Sequence, residues 1–189
     1  MTLFENDKTF SGIDYTVNGL PTGEYDNCSF QNCDLSEQDL RGSVFIDCEF
    51  TDCNISNCKV QDTQFQDITF NSCKLLGVQF NQCNPFLLCF KFNKCQMNHC
   101  SFFGLKLQRI KFVECSMIEV DFVTTDLSGA IFKDCDLTNV QFEQSCLVNA
   151  DFSTAYNFTI DPEKNQLKDA VFSRNSIEGL LAKYNIDIK

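Results

Sequence analysis

The sequence predicts an all-β fold, a right-handed, four-sided (quadrilateral) β-helix that turns a corner every five residues. Three observations predict it. An apolar residue recurs at every fifth position, a small residue often stands two places earlier, and this period fits neither an α-helix nor a simple alternating strand. Because four five-residue sides make one coil, we expect residues twenty apart to stack on each other.

The five-residue repeat runs in two registers. The first register has eleven consecutive apolar positions, which are Phe30, Leu35, Leu40, Phe45, Phe50, Ile55, Val60, Phe65, Phe70, Leu75 and Phe80. The second is shifted by two residues and has thirteen, which are Phe92, Met97, Phe102, Leu107, Phe112, Met117, Phe122, Leu127, Phe132, Leu137, Phe142, Leu147 and Phe152. In this second register, ladders of Phe are expected on two opposite faces, with Leu and Met on the other two.

Eleven of the thirteen cysteines fall on the position two residues before a central site, where side chains should point inward, although Pro85 occupies the central site that follows Cys83. Only Cys89 and Cys146 fall elsewhere. Because the number of cysteines is odd and the N-terminus does not resemble a signal peptide, we expect reduced thiols rather than disulfides. No two cysteines are spaced as Cys-x-x-Cys, so the sequence predicts neither a metal site nor a cofactor.

Several repeats share one motif: a small residue, a polar residue, Leu or Phe, and two further residues that are mostly polar. Examples are CDLSE, CEFTD, CDLTN and ADFST. In these segments the chain resembles the pentapeptide-repeat family over about residues 28–172. It is similar to the branch that protects DNA gyrase and topoisomerase IV from quinolones, whose members are thought to mimic duplex DNA. The resemblance implies the β-helix and a protein partner of this kind.

The repeat divides the chain into three parts. We expect a degenerate first coil and N-terminal cap in residues 1–27, the β-helix in residues 28–172, and a C-terminal helix and tail in residues 173–189. Near residues 84–91, two additional residues predict a bulge or short loop at the register break. Its apolar residues either pack locally and bridge the registers or form an exposed contact patch. The candidate loop contacts are Phe86, Leu87 and Leu88.

The C-terminal tail has apolar residues at helical spacing after Ser176, a suitable N-cap. They are Ile177, Leu180, Leu181 and Tyr184. This pattern predicts a capping α-helix over the last coil. The family resemblance implies that the helix is also the interface of a homodimer, and a monomeric cap is the alternative.

Charge is unevenly distributed along the chain. Residues 1–70 carry a net charge of −10, residues 71–111 carry +6 with no acidic residue, and residues 112–151 carry −7. If a topoisomerase is the partner, the third segment is the candidate surface, through Glu114, Glu119, Asp121, Asp126, Asp134 and Asp136. The alternative is that Asp121, Asp126 and Asp136 are simply the Asp that the repeat favours beside its central residue.

The composition and motifs argue against several functions. A net charge of −11 disfavours direct nucleic-acid binding, and no apolar run is long enough for a membrane span, so we expect a cytoplasmic protein. No phosphate-binding loop is present, and the one histidine, His99, should face solvent, so we expect no enzyme. A general interaction scaffold with a non-topoisomerase partner is the main alternative. A thiol-based redox protein is disfavoured because the cysteines point inward.

Overall fold

The computed structural model describes residues 3–187, which form a parallel β-helix with short strands on two of its four faces. The strands in this range are β1 (Leu3–Asn6), β2 (Thr9–Ser11), β3 (Gly23–Asp26), β4 (Ser29–Gln31), β5 (Val44–Ile46), β6 (Glu49–Thr51), β7 (Gln64–Gln66), β8 (Ile68–Asn71), β9 (Phe90–Asn93), β10 (Lys111–Val113), β11 (Ile131–Lys133), β12 (Asp151–Phe152) and β13 (Val171–Phe172). The first face contains β1, β3, β5 and β7 in that order. The second face contains the other nine strands, stacked in chain order.

The third and fourth faces are held together by isolated parallel bridges. Asp34 pairs with Asn54 on the third face, and Asp39 pairs with Lys59 on the fourth. Outside the register break these pairs join residues twenty apart, as the period predicts. A short helix, α1 (Tyr15–Asn18), lies in the first coil. The predicted four-sided β-helix is confirmed.

The chain turns most corners at a residue with left-handed backbone conformation, two places after the central residue. Asn32 (φ 51°), Asn57 (φ 56°) and Asn139 (φ 56°) occupy such corners, and Gly42 (φ 71°) occupies another. Gly, Asn and Asp adopt this conformation at the lowest cost. The polar residues two places after the central residue therefore stabilise the corners of the coil as well as facing solvent.

Stacked phenylalanine rings fill the interior. On the second face the ring centroids of Phe30 and Phe50 are 4.6 Å apart, and those of Phe92 and Phe112 are 5.4 Å apart, with nearly parallel planes. Across the interior, Phe102 of the fourth face meets Phe112 edge-on at 6.2 Å. The predicted alternation of Phe with Leu or Met therefore places two Phe ladders on opposite faces in the second register.

The second Phe ladder changes face at the register break. The ladder on the first face ends at Phe65, and a ladder on the fourth face begins at Phe80, the last central residue before the break. Two additional residues make Phe70 pair with Phe92, at an offset of 22 rather than 20. Phe90 is 3% exposed and lies where the ladders meet, 5.6 Å from Phe65 and 5.1 Å from Phe80. The Phe90 ring therefore packs between the end of one Phe ladder and the start of the other, and so joins the two registers.

The C-terminal segment is not the predicted α-helix. It forms two short 3-10 helices, Arg174–Leu180 and Ala182–Tyr184. The N-cap is Ser173 rather than Ser176, and its side chain accepts a hydrogen bond from the backbone N–H of Asn175. A third 3-10 turn, Phe80–Gln82, lies beside the register break.

Gly179 makes close contacts with the last coil. Its carbonyl accepts a hydrogen bond from the backbone N–H of Ile160, 3.0 Å away, so it is directed at the β-helix and not along its own helix axis. A Cβ at this position would lie 2.2 Å from the carbonyl oxygen of Phe158. The tail is therefore held against the last coil, and a glycine in its middle also disfavours an α-helix.

Candidate interaction surfaces

The six acidic residues predicted to bind a partner are divided between two sides of the rod. Five lie on one side of the rod. This side extends from the corner between the second and third faces, across the third face, to the fourth face. The five are Glu114, Asp134, Asp136, Glu119 and Asp121. The sixth, Asp126, lies on the first face, opposite Asp136 and in a bridge with Lys106.

Three of these carboxylates take part in the turns of their own repeats. Each accepts a hydrogen bond from the backbone N–H two residues later, at 2.9, 3.0 and 3.1 Å for Asp121, Asp126 and Asp136. Such Asx turns explain Asp beside the central residue without any partner. Partial burial raises the pKa of Asp126, but hydrogen bonds from Ser128 and Gln108 outweigh it and hold the pKa below its usual range.

The other three acidic residues project into solvent from corners. Glu114 lies 3.8 Å from the ammonium of Lys94, and Glu119 lies 3.2 Å from Nδ1 of His99. Asp134 is exposed at the corner one coil beyond Glu114. Glu114, Glu119 and Asp134 are thus the residues of the predicted set that are most accessible to a partner.

The predicted loop projects between the first and second faces. Phe86 and Leu87 are 62% and 60% exposed, whereas Leu88 is half-buried against the core and bridges Gln66. The side chain of Asn84 accepts a hydrogen bond from the backbone N–H of Phe86 at 2.9 Å, which closes the turn. One end of the loop therefore packs against the core, while its tip is exposed.

The C-terminal residues predicted to form a dimer interface are differently exposed. Ile177 and Tyr184 are 44% and 53% exposed, while Leu180 and Leu181 are half-buried. Leu180 packs against the core. Ile177 and Tyr184 are therefore the members of this set that are available for contacts.

Three further apolar residues near the same end are exposed and were not among the predicted surface residues. Tyr156, Val171 and Ile186 are about half exposed. Tyr156 and Ile186 line an open cleft of about 840 Å³ between the last coils and the 3-10 segment. Tyr156 and Val171 take the outward position of their repeats, beside Asp136 and Asp151 of the preceding coil, whereas the exposure of Ile186 depends on how the tail folds back.

Ion pairs attach the tail to the turn after Ile160. The ammonium of Lys183 donates hydrogen bonds to Asp161 at 2.7 Å and contacts Glu163 at 2.8 Å, and the Tyr184 hydroxyl donates to Glu163 at 3.1 Å. These contacts lower the pKa of both carboxyl groups, with Lys183 the largest cause for each.

We expect the stabilising effect of Lys183 to be lost in acid. Because the folded-state pKa values of Asp161 and Glu163 are lowered, their contribution is present above the ordinary carboxyl pKa of about 4 and disappears as pH falls through the folded values. The free energy of urea unfolding of K183M should therefore fall below that of the unsubstituted protein at pH 7, and the two should converge near pH 2. A difference that persists in acid would contradict this.

The repeats match a described protein family. Residues 24–102 and 75–152 match the family model "Pentapeptide repeat region", and the overlapping matches cover more than half of the chain. The chain belongs to the pentapeptide-repeat family. No curated protein sequence matches it at a significant level.

Solved structures of QnrB1 share the fold. A trypsin-treated, singly substituted form of QnrB1, a plasmid-mediated fluoroquinolone resistance protein, matches with a TM-score of 0.63 and 15% identity over 100% of both chains. Full-length QnrB1 matches with a TM-score of 0.54 and 17% identity, over 97% of this chain and 100% of that one. HetL, from the cyanobacterium Nostoc, matches with a TM-score of 0.39 and 16% identity, over 88% of this chain and 86% of that one.

The cysteines of this pentapeptide-repeat protein are unpaired, and eleven of the thirteen are buried. The half-buried exceptions are Cys89 and Cys146, as the repeat predicts. Burial raises the pKa of the Cys48, Cys58 and Cys100 thiols to about 12, which disfavours the nucleophilic thiolate. Among residues 3–187, no cluster of three or more His, Cys, Asp or Glu side chains is arranged to hold a metal ion.

Helices in the described part of the pentapeptide-repeat chain are short. None of those within residues 3–187 has the length and apolar character needed to cross a membrane.

The one histidine of the chain, His99, lies on a corner with φ 62°, and its side chain is 62% exposed, as predicted.

Proposed function

We propose that this pentapeptide-repeat protein is a noncatalytic cytoplasmic protein that binds a type II topoisomerase, DNA gyrase or topoisomerase IV, and protects it from quinolones. The observation that carries the proposal is the end-to-end match with QnrB1, over 100% of both chains and with a TM-score of 0.63. A fluoroquinolone resistance protein thus has the same fold and extent. The net charge of −7 in residues 112–151 is a second point in favour.

The accessible acidic residues would face a basic surface of the enzyme. Long-range attraction between such surfaces raises association rates and selects the orientation of the partners. The mimicry of duplex DNA would be partial, because residues 71–111 carry +6 and interrupt the negative potential. We place the contact at Glu114, Glu119 and Asp134, which project from corners, with Asp121, Asp126 and Asp136 mainly supporting the turns.

A supercoiling assay with purified gyrase and a quinolone tests the proposal. The unsubstituted protein should restore supercoiling at micromolar concentration, and E114Q/E119Q/D134N should require at least about tenfold more protein, equivalent to about 1.4 kcal/mol. The matched control D47N/D52N/D62N removes three charges from equivalent corner positions in the N-terminal half and should behave like the unsubstituted protein. Failure of the unsubstituted protein to protect gyrase in this assay, and topoisomerase IV in a matching decatenation assay, would overturn the proposal.

We further propose a homodimer through the C-terminal surface formed by Ile177, Leu180, Leu181 and Tyr184. Native mass measurement should give twice the 21.6 kDa of one chain. I177E, which places a charge on an exposed apolar residue, should give the monomer mass. V17E introduces the same charge at a residue that is 75% exposed near the other end and should leave the dimer intact. A monomeric unsubstituted protein would identify the tail as a cap only.

The alternative function is a general interaction scaffold with a partner other than a topoisomerase. The +6 segment favours this alternative, since a surface built only to imitate DNA has no use for it. Unchanged activity and drug sensitivity of both topoisomerases, together with a specific complex with another protein, would select the scaffold.

A further inference from the structure

Four cations converge beside the projecting loop, at the corner between the first and second faces. Lys91 and Lys111 are directly opposite each other on β9 and β10. Lys106 lies on the first face, and Arg109 lies on the adjoining corner with φ 61°. All four are exposed, and all four line one cavity of about 230 Å³. We call this cavity and the loop tip, Phe86 and Leu87, the corner pocket.

The cations of the corner pocket have few counter-charges. Among residues 3–187, no ion pair within 4 Å involves any of the four, whereas Lys94 on another corner pairs with Glu114. Two carboxylates lie at the margin: Asp67 beside Cys89, and Asp126 beside Lys106. Like charges directly opposite on neighbouring strands repel each other, so the pairing of Lys91 with Lys111 adds no stability to the fold.

The loop tip is apolar and directly precedes Leu88 and Cys89, which line the cavity. Leu87 adopts a left-handed backbone conformation, with φ 54°, which costs a non-glycine residue roughly 1–2 kcal/mol. Its side chain and that of Phe86 are nevertheless mostly exposed. Buried or half-buried apolar groups of Leu88, Phe90, Leu107 and Ile110 form the floor beneath the cations.

We propose that the corner pocket binds a short acidic and apolar peptide segment of a partner protein. Its carboxylates would contact the four cations, with Arg109 suited to a bidentate pair, and an apolar side chain would pack on Phe86 and Leu87. This surface is separate from the accessible acidic residues, and the inference does not depend on topoisomerase binding.

Charge on both sides of the corner pocket favours a short peptide over nucleic acid. Lys91 and Lys111 lie on neighbouring strands, about 4.8 Å apart along the rod. The flanking segments carry −10 and −7 and would repel a longer polyanion. A DNA duplex carries one charge per about 1.7 Å of its length and would extend over them. The phosphate groups of DNA would also make no apolar contact with Phe86 and Leu87.

Fluorescence anisotropy with a labelled synthetic peptide, in which two leucines are flanked by glutamates, tests the proposal. We expect K106Q/R109Q to weaken binding at least about tenfold, and F86S/L87S to weaken it at least about fivefold. K74Q/K168Q removes two charges outside the corner pocket and should change affinity less than about twofold. Circular dichroism should show the same fold for all variants, because every substituted side chain is exposed.

Four outcomes would overturn this proposal. The first three are no binding of the peptide, equal binding by K106Q/R109Q, and tighter binding of a short DNA duplex that is lost in the same variant. Self-association that is lost in K106Q/R109Q and that the peptide does not displace would assign the corner pocket to a second copy of this chain and would likewise overturn it.

Discussion

Replacement of Phe90 by alanine should lower the free energy of unfolding by about 3–5 kcal/mol. The ring is 3% exposed and contacts four other rings, because it fills the interior where one Phe ladder ends and the next begins. The cavity would lie between stacked coils. Backbone hydrogen bonds fix the spacing of these coils, so neighbouring groups have little freedom to close the cavity. Urea denaturation followed by circular dichroism measures the change.

The matched control for F90A is F86A in the same loop. It removes the same atoms from a ring that is 62% exposed, so the change in unfolding free energy should stay within about 0.5 kcal/mol. Equal destabilisation by the two substitutions would show that the loop as a whole, and not the ring at the ladder junction, stabilises the register break.

Replacement of Gly179 by alanine should detach the C-terminal 3-10 segment from the last coil. The new Cβ would lie 2.2 Å from the carbonyl oxygen of Phe158, a backbone atom that cannot move away alone. We expect a loss of about 1–3 kcal/mol, as for other overpacked sites. The amide of Ile160, which donates to the Gly179 carbonyl, should lose protection from hydrogen exchange.

Gly12 provides the control for G179A. Its φ of 64° strains any replacement, but a Cβ at this position would have no other atom within 4 Å. G12A should therefore cost about 1–2 kcal/mol through backbone strain while leaving exchange at Ile160 unchanged. If G179A kept full protection at Ile160, steric exclusion would not be what positions the tail.

The sequence predicted the β-helix well because one physical constraint repeats throughout it. A central residue such as Phe122 and a small residue such as Val120 point inward in every coil, so the period is visible without neighbours in space. The same periodicity predicted that Cys89 and Cys146 are the two cysteines outside the buried columns. Each of these conclusions depends only on position within five residues.

The interaction surfaces were predicted less completely. The sequence selected six acidic residues but did not separate Asp136, which accepts a hydrogen bond from its own turn, from Asp134, which projects from a corner. The 20-residue coil also places Asp126 on the opposite side from Asp136. Sorting these residues requires side-chain hydrogen bonds and the angular position of each repeat.

The coil and its inward columns follow from the amino-acid pattern alone, because burial within a five-residue repeat is a local property. The positions of residues outside the repeat depend on contacts between coils. Phe90 enters the core because two ladders meet there, and the tail lies against the last coil because the Gly179 carbonyl accepts a hydrogen bond from Ile160. Lys91 and Lys106 likewise come together only because successive coils stack. Contacts between distant segments are absent from any five-residue pattern.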